Sequence, residues 1–159
     1  MINRPKTDID IMAKMISKHI KTKEPIIIYN MTVYHDYRLT GYVIGNEDRY
    51  KEFGYAVFTI GKDYKYKLVD VIEPDKTTII TSDIVVYEFS KIEFGDYADK
   101  KLAIMNNSPN LSKVEVILEN GETKIKEVNS TPSVIVFEDI DVNLELEYYL
   151  YGKNGDVIE

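Results

Sequence analysis

Apolar residues recur at two different periods along this chain, and the change from one to the other comes at Pro25. Before it, Ile9, Met12, Ile16 and Ile20 fall three or four residues apart, with Lys14, Lys18 and Lys21 opposite them, as an amphipathic helix requires. The spacing predicts a helix over Asp8 to Lys21. Thr7 is placed to cap it, and Asp10 lies in the first turn, where negative charge favours the helix dipole. Pro25 then blocks continuation.

After Pro25 the period is two. Ile26 to Tyr34 and Tyr37 to Ile44 are rich in β-branched and aromatic residues, and His35-Asp36 between them predicts a hairpin. Gly45 to Phe53 is polar enough to predict an exposed loop. Strands follow over Gly54 to Ile60 and, after a Gly61-Lys62-Asp63 turn, over Tyr64 to Ile72, which Glu73-Pro74-Asp75 ends. Thr77 to Phe89 is a long β-prone run with a bend expected near Ser82-Asp83. Gly95 to Asp99 interrupts the pattern and is the candidate lobe boundary. Beyond it come a short apolar run, Leu102 to Met105, a turn-rich loop, Asn106 to Ser112, and strands over Lys113 to Leu118, Thr123 to Val128, Ser133 to Phe137 and Asn143 to Tyr151. Asn120-Gly121 is the strongest hairpin signal, because a type I′ turn needs positive φ at both central residues.

These elements predict an α+β fold, mostly antiparallel β, with one N-terminal amphipathic helix. The chain reads either as one compact domain or as two lobes. In the second case 1–95 holds the helix and an antiparallel sheet, and 96–159 is a small β-sandwich-like lobe. At 159 residues, with 44% hydrophobic and 30% charged residues, it can bury a full core.

Charge narrows the partners. A net charge of -7 repels phosphate backbones, so nucleic acid is not an expected partner. Basic residues gather before Pro25 and acidic ones after Lys113. The absence of cysteine excludes disulfides and thiolate metal sites but leaves the compartment open. No apolar run reaches the roughly 18 residues that span a bilayer, and Met1 to Lys23 lacks a signal peptide's apolar segment.

Candidate chemistry is sparse. His19 and His35 are the only histidines and have no metal-ligand or nucleophile-base spacing. No hydrolase, metalloprotease or nucleotide-binding motif occurs, so no catalytic residue and no cofactor are expected. Glu138, Asp139 and Asp141, with Asn143, gather hard oxygen ligands suited to Ca²⁺, but the glycine and bidentate glutamate of an EF-hand loop are missing. The sequence holds 13 tyrosines and no tryptophan. Most, including Tyr64, Tyr66 and Tyr148, are expected to pack in the core or across strands. Tyr42, Tyr50 and Tyr55 flank the expected Gly45 to Phe53 loop and are the candidate recognition surface.

The stretches Leu102 to Asn107 and Leu111 to Val116, the Asn120-Gly121-Glu122 turn, and the closing Tyr151 to Ile158 resemble a recurring pattern. It is that of uncharacterised secreted or membrane-anchored β-rich ectodomain proteins of low-GC Gram-positive bacteria. Gly54-Tyr55-Ala56-Val57-Phe58 is similar to an upstream strand of those proteins, so the resemblance covers roughly Phe53 to Glu159. Met105-Asn106 stands where they usually carry a tyrosine-glycine pair, and no lipobox cysteine is present. The resemblance implies an extracytoplasmic location, with anchoring through a removed N-terminal segment, and a binding or structural role toward a protein or a cell-envelope component. The alternative is a cytoplasmic interaction, inhibitor or immunity-type protein whose acidic surface meets a basic partner.

Overall fold

The computed structural model describes residues 7–158 and is mostly antiparallel β with one N-terminal helix. The chain divides into two compact units, Met1–Glu73 and Pro74–Glu159. The division falls at the predicted Glu73-Pro74-Asp75 break. The boundary expected at Gly95 to Asp99 lies instead inside the second unit. There Gly95, at φ 57, and Asp96 form a tight hairpin turn whose flanking residues Phe94 and Tyr97 pair across it and stack at 4.5 Å.

In the first unit, α1 (Asp8–Ile20) begins with a full capping box: Asp10 N–H donates to Thr7 Oγ1, and Thr7 N–H donates to the Asp10 carboxylate. It ends at Lys21, which takes the left-handed conformation at φ 58 and donates its N–H to the Ser17 carbonyl. Four strands follow in a simple meander: β1 (Ile26–Tyr34), β2 (Tyr37–Asn46), β3 (Arg49–Ile60) and β4 (Tyr66–Ile72), in sheet order β1-β2-β3-β4. The helix packs on one face of that sheet. Met12 and Ile16, both fully buried, meet Tyr42, Ile44, Ala56 and Phe58 there. This burial holds the helix, since a helix this short is marginal alone.

Gly45 to Phe53 is not a loop. β2 and β3 pair almost to their tips, and the turn is confined to Glu47 and Asp48. Asn46 makes that possible, because its Oδ1 accepts from the N–H groups of Asp48 at 2.8 Å and Arg49 at 3.2 Å. Gly45 at φ 138 takes a conformation side chains rarely adopt, and a Cβ there would lie 2.5 Å from the Arg49 carbonyl oxygen. The polar residues occupy the exposed hairpin end, where a strand needs no apolar face. Tyr64 also departs from expectation: it lies before β4, at φ 61 and 84% exposed, in the turn closed by its own N–H to the Gly61 carbonyl. Tyr66 does pack, edge-on to Phe58 at 6.4 Å.

The second unit is a two-sheet sandwich. One sheet holds β5 (Lys76–Thr81), β6 (Ile84–Phe94), β7 (Tyr97–Asn106) and β10 (Ser133–Ile140) in the order β10-β7-β6-β5; the other holds β8 (Leu111–Leu118), β9 (Thr123–Glu127) and β11 (Leu146–Gly152) in the order β11-β8-β9. Ile84, Val86, Leu102, Ile104 and Phe137 from the first meet Val114, Val116, Leu118 and Leu150 from the second in one buried core. Tyr148 packs against it. The bend expected near Ser82-Asp83 is a complete hairpin turn, and Leu102 to Met105 is part of a ten-residue strand. At the β8–β9 turn only Gly121, of the Asn120-Gly121 pair, has positive φ, and it donates its N–H to the Leu118 carbonyl. The connection is therefore longer than the two-residue type I′ turn expected. Among the described residues no helix is long and apolar enough to cross a membrane.

Candidate interaction surface

The three tyrosines expected to form a surface do not converge. Tyr42 is 5% exposed on the helix-covered face of the sheet, and burial, with smaller contributions from Glu52 and Glu73, pushes its phenol up to about 12. Tyr55 is 1% exposed, edge-on to Phe53 at 5.1 Å. Tyr42 pairs with Gly54, and Tyr55 with Gly41, so strand alternation sends the two rings to opposite faces. Each ring lies over its glycine: a Cβ on Gly54 would meet the Tyr42 hydroxyl at 2.7 Å, and one on Gly41 the Tyr55 ring at 3.3 Å. Tyr50 is half-buried on β3. Tyr42 and Tyr55 are therefore core residues.

The acidic stretch on β10 is also dispersed. Glu138 faces Lys101, with Oε2 and Nζ 3.3 Å apart. Asp139 sits at φ 59 in a bulge and donates its N–H to Asp99 Oδ2. Asp141 Oδ1 accepts from Asn143 N–H in the turn that follows. Among the described residues no group of three His, Cys, Asp or Glu side chains could hold a metal ion. His19 is on α1, and His35, at φ 52 in the β1–β2 turn, lies edge-on to Tyr34.

The sequence reading missed a buried charge cluster. Lys101 is 1% exposed, and its Nζ lies 2.7 Å from Asp99 Oδ2 and 5.9 Å from the centre of the Tyr97 ring. Burial alone would lower the lysine's pKa and is the largest single influence on it. The hydrogen bond and charge of Asp99, with Tyr97, outweigh burial and leave it raised. Tyr97 is pushed up to about 12, chiefly by burial. Tyr97, Asp99, Lys101, Ala103 and Met105 alternate along β7 onto one face, so the signal was a lysine in register with buried apolar residues. An amine held as a cation beside two carboxylates is a poor nucleophile, because attack needs the neutral amine. Beside β7, an open cleft of about 260 Å³ is lined by Glu88, Ser90, Lys100, Lys101 and Glu145. Lys100 there donates to the Leu144 carbonyl.

The surface feature that stands out is β1. It is an edge strand, and its nine residues carry no charge. Tyr29, Met31 and Val33 are 44%, 40% and 59% exposed, which makes an apolar stripe beside an edge that no strand among the described residues pairs with. The other edge strands all carry charge: Lys67 and Asp70 on β4, Lys76 on β5, Lys124, Lys126 and Glu127 on β9, Glu138 and Asp139 on β10, and Glu147 on β11. Lysine on an edge discourages strand addition, and β1 has none. Its signal in the sequence was the uncharged run itself, which reads equally as an interior strand. Comparison with protein-family models, with curated proteins and with solved structures finds no match to this chain.

Proposed function

We propose that this protein is a non-enzymatic binding or structural module that engages a protein or cell-envelope component through the β1 edge, outside the cytoplasm. The observation that supports this is the uncharged β1 strand, with Tyr29, Met31 and Val33 exposed, at the rim of the first unit's sheet. Extended segments add to such edges through main-chain hydrogen bonds, with alternate side chains giving selectivity. The buried ion pairs and the scattered acids favour a scaffold over a reaction centre.

A photo-activated residue at Met31, in the native host, should cross-link to another chain, whereas the same residue at Val69, which is 51% exposed on β4, should not. Equal cross-linking from both positions, or none from Met31, removes the edge-binding reading. Protease added to intact cells should degrade the protein; full protection would move it to the alternative reading of a cytoplasmic interaction or inhibitor protein with an acidic surface.

A further inference from the structure

Resting on that edge-binding reading, we infer that the occupant of the β1 edge is a second copy of the chain, paired antiparallel, β1 on β1, about a two-fold axis at Thr32. The register of β1 against β2 shifts between Ile28 and Asn30 and is regular from Asn30 to Tyr34. The regular stretch is the part that can accept a straight partner strand, since a bulge twists an edge away from pairing. An antiparallel two-fold at Thr32 sets Thr32 opposite itself, Met31 opposite Val33 of the second copy, and Asn30 opposite its Tyr34. Met31 and Val33 lie on one face of the strand, and Asn30, Thr32 and Tyr34 on the other. This register sets apolar Met31 against apolar Val33 and leaves every pair uncharged, and Thr–Thr is among the favourable cross-strand pairs.

Charge selects the same occupant. Each copy carries a net charge of -7, so two copies repel over most approaches. At β1 no charged residue opposes another, whereas self-pairing at β9, β10 or β11 would bring their acids and lysines into the contact. An acidic or basic peptide finds no opposite charge on β1 to offset its desolvation. A strand with the composition of β1 itself meets neither obstacle.

Sedimentation velocity over a wide concentration range should show reversible monomer–dimer exchange. Val33→Lys should weaken association by about tenfold or more, the equivalent of about 1.4 kcal/mol, and Val69→Lys should leave it unchanged. The chain has no cysteine, so a single Thr32→Cys substitution reports the register. Residues directly opposite in an antiparallel pair have the Cα separation a disulfide needs, and Thr32→Cys should oxidise to a dimer far faster than Val69→Cys. A monomer at every concentration overturns self-pairing, as does equal oxidation of the two cysteine variants. In the first case a cross-link from Met31 to a different protein in cells would leave the edge-binding reading standing.

Discussion

The two units close their sheets against water by different means. In the second, lysines finish the job: Lys126 Nζ donates to the Val136 carbonyl on β10 at 2.6 Å while lying 5.5 Å from the Phe137 ring centre, and Lys100 donates to the Leu144 carbonyl at 2.5 Å. A long flexible amine reaches a part-buried backbone acceptor, keeps its stem on apolar surface and leaves a charge that repels strand addition. In the first unit a helix covers one face of the sheet, and β1 has no lysine of its own. One unit uses charge as both filler and guard; the other excludes charge from its core and leaves its outer strand unguarded. Sheets of similar size can thus be made stable in the same chain while only one is made resistant to strand addition.

The largest test of that contrast lies at the buried lysine. Asp99→Ala should cost the second unit about 3–5 kcal/mol in denaturant unfolding, because it leaves Lys101 without its closest partner in the interior. Pairing it with Lys101→Met should recover most of the loss; failure to recover would mean that the ion pair does more than neutralise buried charge. The first unit should respond to apolar loss instead. Ile16→Ala, at a fully buried helix position, should cost about 2–4 kcal/mol and free the helix, read as lost helical circular dichroism.

A smaller, pH-dependent effect comes next. The Tyr42 phenol is raised from 10.0 to about 12 in the folded chain, so the folded state holds that proton more tightly than the unfolded one. Its contribution is fully present below pH 10 and is lost as pH climbs toward 12, a change on the order of 2–3 kcal/mol. Tyr42→Phe should flatten that alkaline loss in the first unit, while the similarly raised Tyr97 keeps the second unit sensitive. The smallest effect on the fold should come from β1: Val33→Lys should change unfolding stability by less than about 0.5 kcal/mol. A large loss there would mean that Val33 holds the sheet rather than faces a partner.

The helix and the first hairpin were legible because each is written locally, in Thr7 and Asp10 and in the alternation around His35-Asp36; Pro74 was legible as a strand break but not as the division between units, which was expected at Gly95 to Asp99. The β2–β3 hairpin was not, since exposed strand ends and loops share the same polar residues and only Asn46's side chain decides between them. Tyr42 and Tyr55 were misplaced for the same reason: once the loop became a strand, they turned inward. The Lys101 cluster escaped because the burial of Lys101 and its contact with Glu138 depend on the β7–β10 pairing, a long-range fact, although Asp99 lies only two residues away on the same strand. The exposed β1 was legible as a strand but not as an edge, because edge position depends on the order in which strands pair.

The reciprocal tyrosine–glycine pairs on β2 and β3 act as an alignment key. Tyr42 over Gly54 marks one face and Tyr55 over Gly41 marks the other. A slip of a single residue would set each ring against a side chain instead of a gap and would turn the whole apolar set of the strand inside out. The hairpin therefore tolerates changes at its exposed tip but not a change in length on one arm alone, and an inserted residue between Gly41 and Gly45 should scramble both faces of the sheet at once.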